Sequence, residues 1–187
     1  QWIFGMPARV TANCGFGKYH DIEVEDDVTI LAEYANGATG VFITSTGEYP
    51  GTNRLEIAGT KAKLVAEDGL LKIIHSNAEN TGTRLEVFTP ETADVTGHQA
   101  ILQNFTDAVL RGEKLISPGE EGMRSLQISN AALLSAWENR PVTLPVDPEL
   151  FCRRLDENIR RSAPRKKEAP ARAADESERK KRWEIHW

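Results

Sequence analysis

The sequence has few of the residues that anchor the commonest kinds of site. Its only cysteines, Cys14 and Cys152, are far apart and in no CxxC arrangement. They offer neither the paired thiols of a structural zinc site nor a disulfide framework, which points to a reducing, cytoplasmic compartment. Both read as ordinary small apolar residues. Aromatic residues make up 7% of the chain, and no apolar run approaches the roughly 18 residues that a membrane-crossing helix needs. Gln1 to Pro7 show neither a basic n-region nor a cleavage site, so no signal peptide is expected. They also lack an initiating Met, and a piece of a longer chain is expected. The dinucleotide fingerprint GxGxxG, the full phosphate-loop spacing, zinc motifs and a Ser/His/Asp arrangement are all missing, so neither a cofactor nor a metal is expected to be held by this chain.

What is present suits an ordinary folded domain. With 187 residues, 40% hydrophobic and 27% charged, the chain can build one domain with a sizeable core. The net charge of −5 is unevenly spread. Residues 163–187 hold eight Lys or Arg against five acids, which leaves this tail at +3 and the body at −8. An acidic body repels phosphate backbones, so neither nucleic acid nor an anionic membrane is an expected partner. The tail has Pro164 and Pro170 and no apolar recurrence before Trp183, Ile185 and Trp187. It reads as a basic, low-complexity and disordered appendage to a domain of residues 1–162.

From residue 8 to about residue 88 the apolar pattern has period two, the signature of strands with one buried face. Strands are expected at Arg9 to Ala12, around Val28 to Tyr34, and at Ala38 to Thr46. Further ones are expected at Arg54 to Ala58, Lys61 to Ala66, Gly69 to Ile74 and Arg84 to Phe88. Val28, Ile30, Ala32 and Tyr34 face one way and Thr29, Leu31 and Glu33 the other. Asn36-Gly37 suits a tight hairpin with positive φ angles. Strands joined by such short turns must be antiparallel.

After Pro90 the period becomes helical. Thr96-Gly97-His98-Gln99 reads as a capping box before Ile101, Leu102, Phe105, Ala108 and Val109, with Gly112 as the stop. A second helix is expected with Ser117 as cap, Pro118 in the first turn and a buried stripe of Met123, Leu126, Asn130, Leu133, Leu134 and Trp137, ending at Pro141. Asp147-Pro148 opens a third, with Leu150, Phe151, Leu155 and Ile159 on one face. Strands first and helices later predict an α+β fold, an open and mostly antiparallel sheet with helices packed on one face. Its other face then needs a partner.

Several stretches invite a chemical reading. The run His20-Asp21-Ile22-Glu23-Val24-Glu25-Asp26-Asp27 is rich in metal-ligating types, yet in an extended segment alternate carboxylates stand about 7 Å apart, too far for one ion. A solvated lead-in to a strand is expected instead. Gly15-Phe16-Gly17-Lys18 is a fragment of a phosphate loop without its spacing, and Asn104-Phe105-Thr106 matches the glycosylation triplet but lies on an expected helix beside a core Phe. His75 and His186 have no evident acid-base partner, whereas His98 opens a capped helix where its ring can face a pocket. Tyr49-Pro50-Gly51-Thr52-Asn53-Arg54 places a phenol, an amide and a guanidinium in one turn-rich link, groups suited to hydrogen bonding a polyhydroxylated ligand. The competing structural reading is a surface His at a helix start, and a hairpin link whose Arg54 pairs with Glu56 or Glu48.

Trp2 to Val10, Val24-Glu25-Asp26-Asp27, Tyr34 to Gly40, Asn53 to Thr60, Asn104-Phe105, Pro118 to Gly122 and Ser135-Ala136-Trp137, in this order and spacing, resemble the Gfo/Idh/MocA oxidoreductases over residues 1 to about 161. The resemblance implies the C-terminal domain of an enzyme whose N-terminal Rossmann domain binds NAD or NADP. In such an enzyme the catalytic Lys, Asp and His, which serve hydride and proton transfer on a sugar or polyol, lie upstream of Gln1. It also implies that the open sheet walls the substrate site and forms a homo-oligomer interface, and that His98, Tyr49, Asn53 and Arg54 contact substrate. The same features leave room for a non-catalytic binding or assembly module that keeps only the sheet.

Overall fold

The structure, a computed structural model, describes residues 1–77, 81–90 and 97–162. The tail assigned to residues 163–187 and Thr96 of the expected capping box lie outside them. The chain divides into two compact units, one formed by Gln1–Tyr49 with the described residues from His98 onward, the other by those between Pro50 and Gly97. The α+β class is as expected, but the strands form two antiparallel four-stranded sheets rather than one.

In the first unit the sheet order is β3-β2-β1-β8, from β1 (Arg9–Phe16), β2 (Glu25–Glu33), β3 (Thr39–Ser45) and β8 (Val142–Thr143). β1 runs four residues beyond its expected end, and the two-residue β8 has too little sequence to show a period. Val10 pairs with Ala32 and Ala12 with Ile30, so one side chain in two from each strand turns to the same face. Helix α2 (Gly119–Glu138) covers that face. Val10, Ile30, Ala131, Ala132, Leu134, Val142 and Val146 form the core, flanked by Ala12, Val28, Trp137 and Phe151. Leu31, Val41 and Ile43 face the other way and are exposed.

The hairpin between β2 and β3 differs from the expected tight turn. Only Gly37 takes a positive φ, 85°. Gly37 N–H donates to Tyr34 O at 3.0 Å, Tyr34 N–H to Ala38 O at 3.0 Å, and the Asn36 side chain accepts from Ala38 N–H. The connection is therefore a wider loop with glycine at its left-handed position.

α2 also departs from the expected pattern. Pro118, extended at φ −66° and ψ 155°, is the N-cap, and no side chain caps the helix. The buried stripe is Ala131, Ala132, Leu134 and Ser135, whereas Met123 and Leu126 are 63% and 57% exposed. Leu134 of the expected stripe is buried and Trp137 packs against the core, while the other buried positions are small because α2 lies directly on β1. Ser135 Oγ accepts from Ala12 N–H at 3.0 Å and donates to Arg140 O at 2.8 Å, an arrangement that leaves no room for larger side chains.

α3 (Pro148–Arg161) starts as expected. Asp147 caps it by accepting from Glu149 N–H at 2.9 Å and Leu150 N–H at 3.3 Å. Phe151 stacks on Trp137 with centroids 5.5 Å apart, and Arg154 bridges Glu138 of α2 and Glu157. Of the apolar face expected on α3, Leu155 and Ile159 are exposed. α1 (Gly97–Arg111) ends at Gly112, whose N–H donates to Ala108 O at 3.1 Å and whose φ is 73°.

The second unit is the meander β4 (Arg54–Ala58), β5 (Ala62–Glu67), β6 (Leu70–Ser76) and β7 (Thr83–Phe88), ordered β4-β5-β6-β7. Asp68 and Gly69, with φ of 52° and 71°, make the two-residue turn between β5 and β6. Leu55, Ile57, Leu64, Leu71, Ile73 and Phe88 share one face by register. The opposite face carries Arg54, Glu56, Lys63 and Glu67.

Candidate functional site

The acidic run and the glycine-containing stretch before it turn out to serve each other. At the end of β1 the chain turns through Gly17, with φ 58°, where an added Cβ would stand 2.4 Å from Ile22 O. The next three backbone N–H groups then converge on Asp26, which is 3% exposed. Lys18 donates at 2.9 Å, Tyr19 at 2.7 Å and His20 at 3.0 Å, while His20 Nδ1 lies 3.4 Å from the same carboxylate. Burial pushes this carboxyl up, but the Tyr19, Lys18 and His20 N–H groups and the His20 ring outweigh it and hold it at about 2. Successive N–H groups of this kind are what a phosphate would use, and Asp26 occupies them. The loop is thus closed on its own carboxylate, and the N–H groups of residues 18 to 20 are taken by Asp26. The neighbouring acids are also engaged: Asp27 with Lys18, and Glu23 with Ser162.

The expected substrate-contacting residues fall at the two places where the chain passes between units. Tyr49, 98% exposed, is the last residue of the first unit's leading segment, and His98 begins its return at the first turn of α1. Asn53 and Arg54 belong to the second unit. Among the described residues no hydrogen bond joins any two of the four. Arg54 is held on the sheet face by Glu67 and Glu56, each at 2.7 Å, and Lys63 bridges Glu56 from β5. The hydrogen bond to Glu56 and the charge of Glu67 raise the Arg54 guanidinium, which is charged at any relevant pH. Of the two partners anticipated for it, Glu56 is engaged, and Glu67 joins through the β4–β5 register that pairs Arg54 with Glu67.

The remaining candidates resolve as follows. His75 has a neighbour after all, with Nε2 3.5 Å from Glu86 Oε2 on the adjacent strand. Asn104 spans the α1–α2 link, donating to Lys114 O at 3.0 Å and accepting from Ile116 N–H at 2.8 Å, while Phe105 beside it is 58% exposed rather than core. Cys14 and Cys152 are free thiols; burial, and then the charge of Glu25, push the Cys14 thiol up. Among the described residues no group of His, Cys, Asp or Glu could hold a metal ion, and no helix is long and apolar enough to cross a membrane.

The fold is α+β, with one helix-covered sheet and a second sheet that is a simple meander. Residues 1–144 match the model of the oxidoreductase family's C-terminal alpha/beta domain, and the chain belongs to that Gfo/Idh/MocA family. Solved structures of similar fold include an oxidoreductase from Agrobacterium radiobacter in complex with NAD+, L-tartaric acid and magnesium. It is 24% identical with a TM-score of 0.59, over 76% of this chain and 44% of that one. Another is a levoglucosan dehydrogenase with NADH and levoglucosan, at 17% identity and a TM-score of 0.61 over 76% of this chain and 46% of that one. The WlbA dehydrogenase from Bordetella pertussis, with NADH and UDP-GlcNAcA, is 21% identical with a TM-score of 0.54, over 79% of this chain and 42% of that one. The chain thus spans less than half the length of each of these proteins. No curated protein matches it in sequence.

Proposed function

We propose that this chain is the substrate-binding and oligomerisation part of an NAD(P)-dependent sugar or polyol oxidoreductase of the cytoplasm, and that it is not catalytically complete alone. The observation that carries the reading is the match of residues 1–144 to the C-terminal domain of an oxidoreductase family, in a chain that spans less than half the length of similar structures holding NAD+ or NADH. NAD or NADP, and the Lys, Asp and His that move protons, belong to the parent's other half. The contribution of this chain is orientation. His98, Tyr49, Asn53 and Arg54 supply an imidazole, a phenol, an amide and a guanidinium, which hydrogen bond the hydroxyls of a sugar and fix which carbon reacts. The bare outer face of Leu31, Val41 and Ile43 supports self-association of the first unit's sheet, since contiguous exposed apolar side chains mark interfaces. That same face would serve a non-catalytic assembly module, the second reading. The reading frame that continues upstream of Gln1 separates the two. Expressed whole, it should oxidise a sugar or polyol with NAD or NADP and lose that activity when its N-terminal half is removed; an active panel confined to non-hydroxylated substrates, or none, would sink the reading.

A further inference from the structure

The hairpin end of β6 and β7 holds an ionisable cluster that the substrate candidates do not use. By register His75 stands directly across from Arg84, and Glu86 lies two residues beyond Arg84 on the same face. That face is otherwise apolar, continuing into Leu64, Ile73 and Phe88. Directly opposed residues hold their Cβ atoms roughly 5 Å apart, so the imidazole and the guanidinium converge on one spot. Glu86 serves both: its carboxylate pairs with Arg84, and His75 Nε2 lies 3.5 Å from Oε2. That nitrogen is buried and no hydrogen bond reaches it. A polar atom left so is costly, and its cost calls for a reason other than stability.

Beside the cluster opens a cleft of about 510 Å³, lined by His75, Ser76, Asn77, Gly82, Thr83 and Arg84. This is the size of a small-molecule site. Asn77 fixes its frame: the backbone N–H donates to Gly82 O at 3.1 Å, and the side chain accepts from Thr81 N–H at 2.9 Å and donates to Thr81 Oγ1 at 3.1 Å.

The lining selects the chemistry of the ligand. Arg84 has a side chain 69% exposed, and Glu86 pairs with only one nitrogen of its fork. The remainder can hold a carboxylate through parallel N–H bonds. The charge of Glu86 alongside opposes a second negative charge, which favours a singly charged group over a doubly charged phosphate. A carboxylate alone fills little of the cleft. The rest is bordered by hydroxyls, an amide and an imidazole and by no Phe, Tyr or Trp, which suits a hydroxylated body rather than a flat base.

We propose that this cleft binds a small hydroxylated carboxylate, with Arg84 holding the carboxylate, His75 an adjacent hydroxyl, and Glu86 positioning both. The site is separate from the one assigned to Asn53 and Arg54. Arg54 pairs with Glu67 and His75 with Ala62 of the same strand, on the opposite face. The two ends of β5 stand about 17 Å apart. Occupancy of the cleft is therefore independent of the functional reading above.

The test titrates the 15N-labelled 187-residue chain with sodium D-gluconate and follows the backbone amide signals. Those of residues 75–77 and 82–84 should shift saturably, with a dissociation constant on the order of a millimolar. D-Sorbitol, which has the hydroxyls without the carboxylate, should leave them in place, and inorganic phosphate should bind several-fold more weakly. Arg84→Gln should weaken gluconate by about tenfold or more, the loss of a charged hydrogen bond, while its spectrum keeps the dispersion of a folded chain. No saturable shift, shifts centred on residues 49–54, phosphate binding as tightly as gluconate, or an Arg84→Gln chain that binds as before overturns the proposal.

Discussion

At the scale of single residues, Asp26 and the four substrate candidates make opposite claims. Asp26 is structural: its folded carboxyl sits at about 2, below the ordinary 3.8. A carboxyl depressed on folding adds stability that is complete above about pH 4 and is lost as pH falls towards 2. Asp26→Asn keeps the shape, gives up the charge, and places an NH2 group against donors. Its melting temperature at pH 7 should fall by several degrees, and the gap from wild type should narrow steadily between pH 4 and 2. A constant gap over that range would mean that the charge of Asp26 contributes nothing. His98 and Arg54 should behave the other way, with melting temperature nearly unchanged and kinetics altered. In the full reading frame His98→Ala should lower kcat/KM by roughly tenfold, and Arg54→Ala by roughly ten- to a hundred-fold, the losses expected for a hydrogen bond from a neutral or a charged donor. Arg54 already shares its fork between Glu56 and Glu67. Unchanged kcat/KM would therefore assign it to that ion cluster and remove it from the site.

At the scale of elements, α2 on β1 is the contact that holds the first unit together. Leu134 is 1% exposed and sits among Val10, Ile30 and Val142. Leu134→Ala should destabilise the chain by about 2–5 kcal/mol, the cost of a large-to-small change in a packed core. Chemical denaturation measures this directly, and a loss below about 1 kcal/mol would show that the site collapses to fill the space. Met123→Ala, on the same helix but bare, should cost almost nothing in this chain. The contrast is informative because the sequence pattern assigned both residues to one buried stripe. Periodicity reports which residues are apolar, and it cannot tell a face that meets this chain's own sheet from one that meets another body.

For the whole molecule, the purified 187-residue chain should show no saturable binding of NAD(H) or NADP(H), since its sequence has no GxGxxG turn to cradle a pyrophosphate. A micromolar dissociation constant by calorimetry would overturn the division of labour proposed above. Self-association through the first sheet gives a second check. Ile43, 70% exposed on the outer face of β3, becomes a like charge facing its own copy in Ile43→Glu. Sedimentation should show an oligomer for the unmodified chain and a monomer for the variant; a strict monomer for both would remove the sheet face as an interface.

The sequence alone determined the α+β class, the antiparallel order of the strands and most of their bounds, because period two and the turns at Asp68-Gly69 and Gly37 are local properties of the backbone. Asp147-Pro148 likewise marked the start of α3 through a cap that needs only four residues. Ordered motifs from Trp2 to Trp137 were enough to place the family. Tertiary structure decided what local pattern cannot carry. It split the strands into two sheets, joined the short β8 to β1, and chose small residues over Met123 and Leu126 for the α2 core because Ser135 draws the helix close to Ala12. It also brought the N–H groups of residues 18 to 20 onto Asp26, converting two suspicious stretches into one closed loop. All but the Asp26 loop, which closes over six to eight residues, depend on which atoms meet across long stretches of chain, and that is set by packing rather than by neighbouring residues.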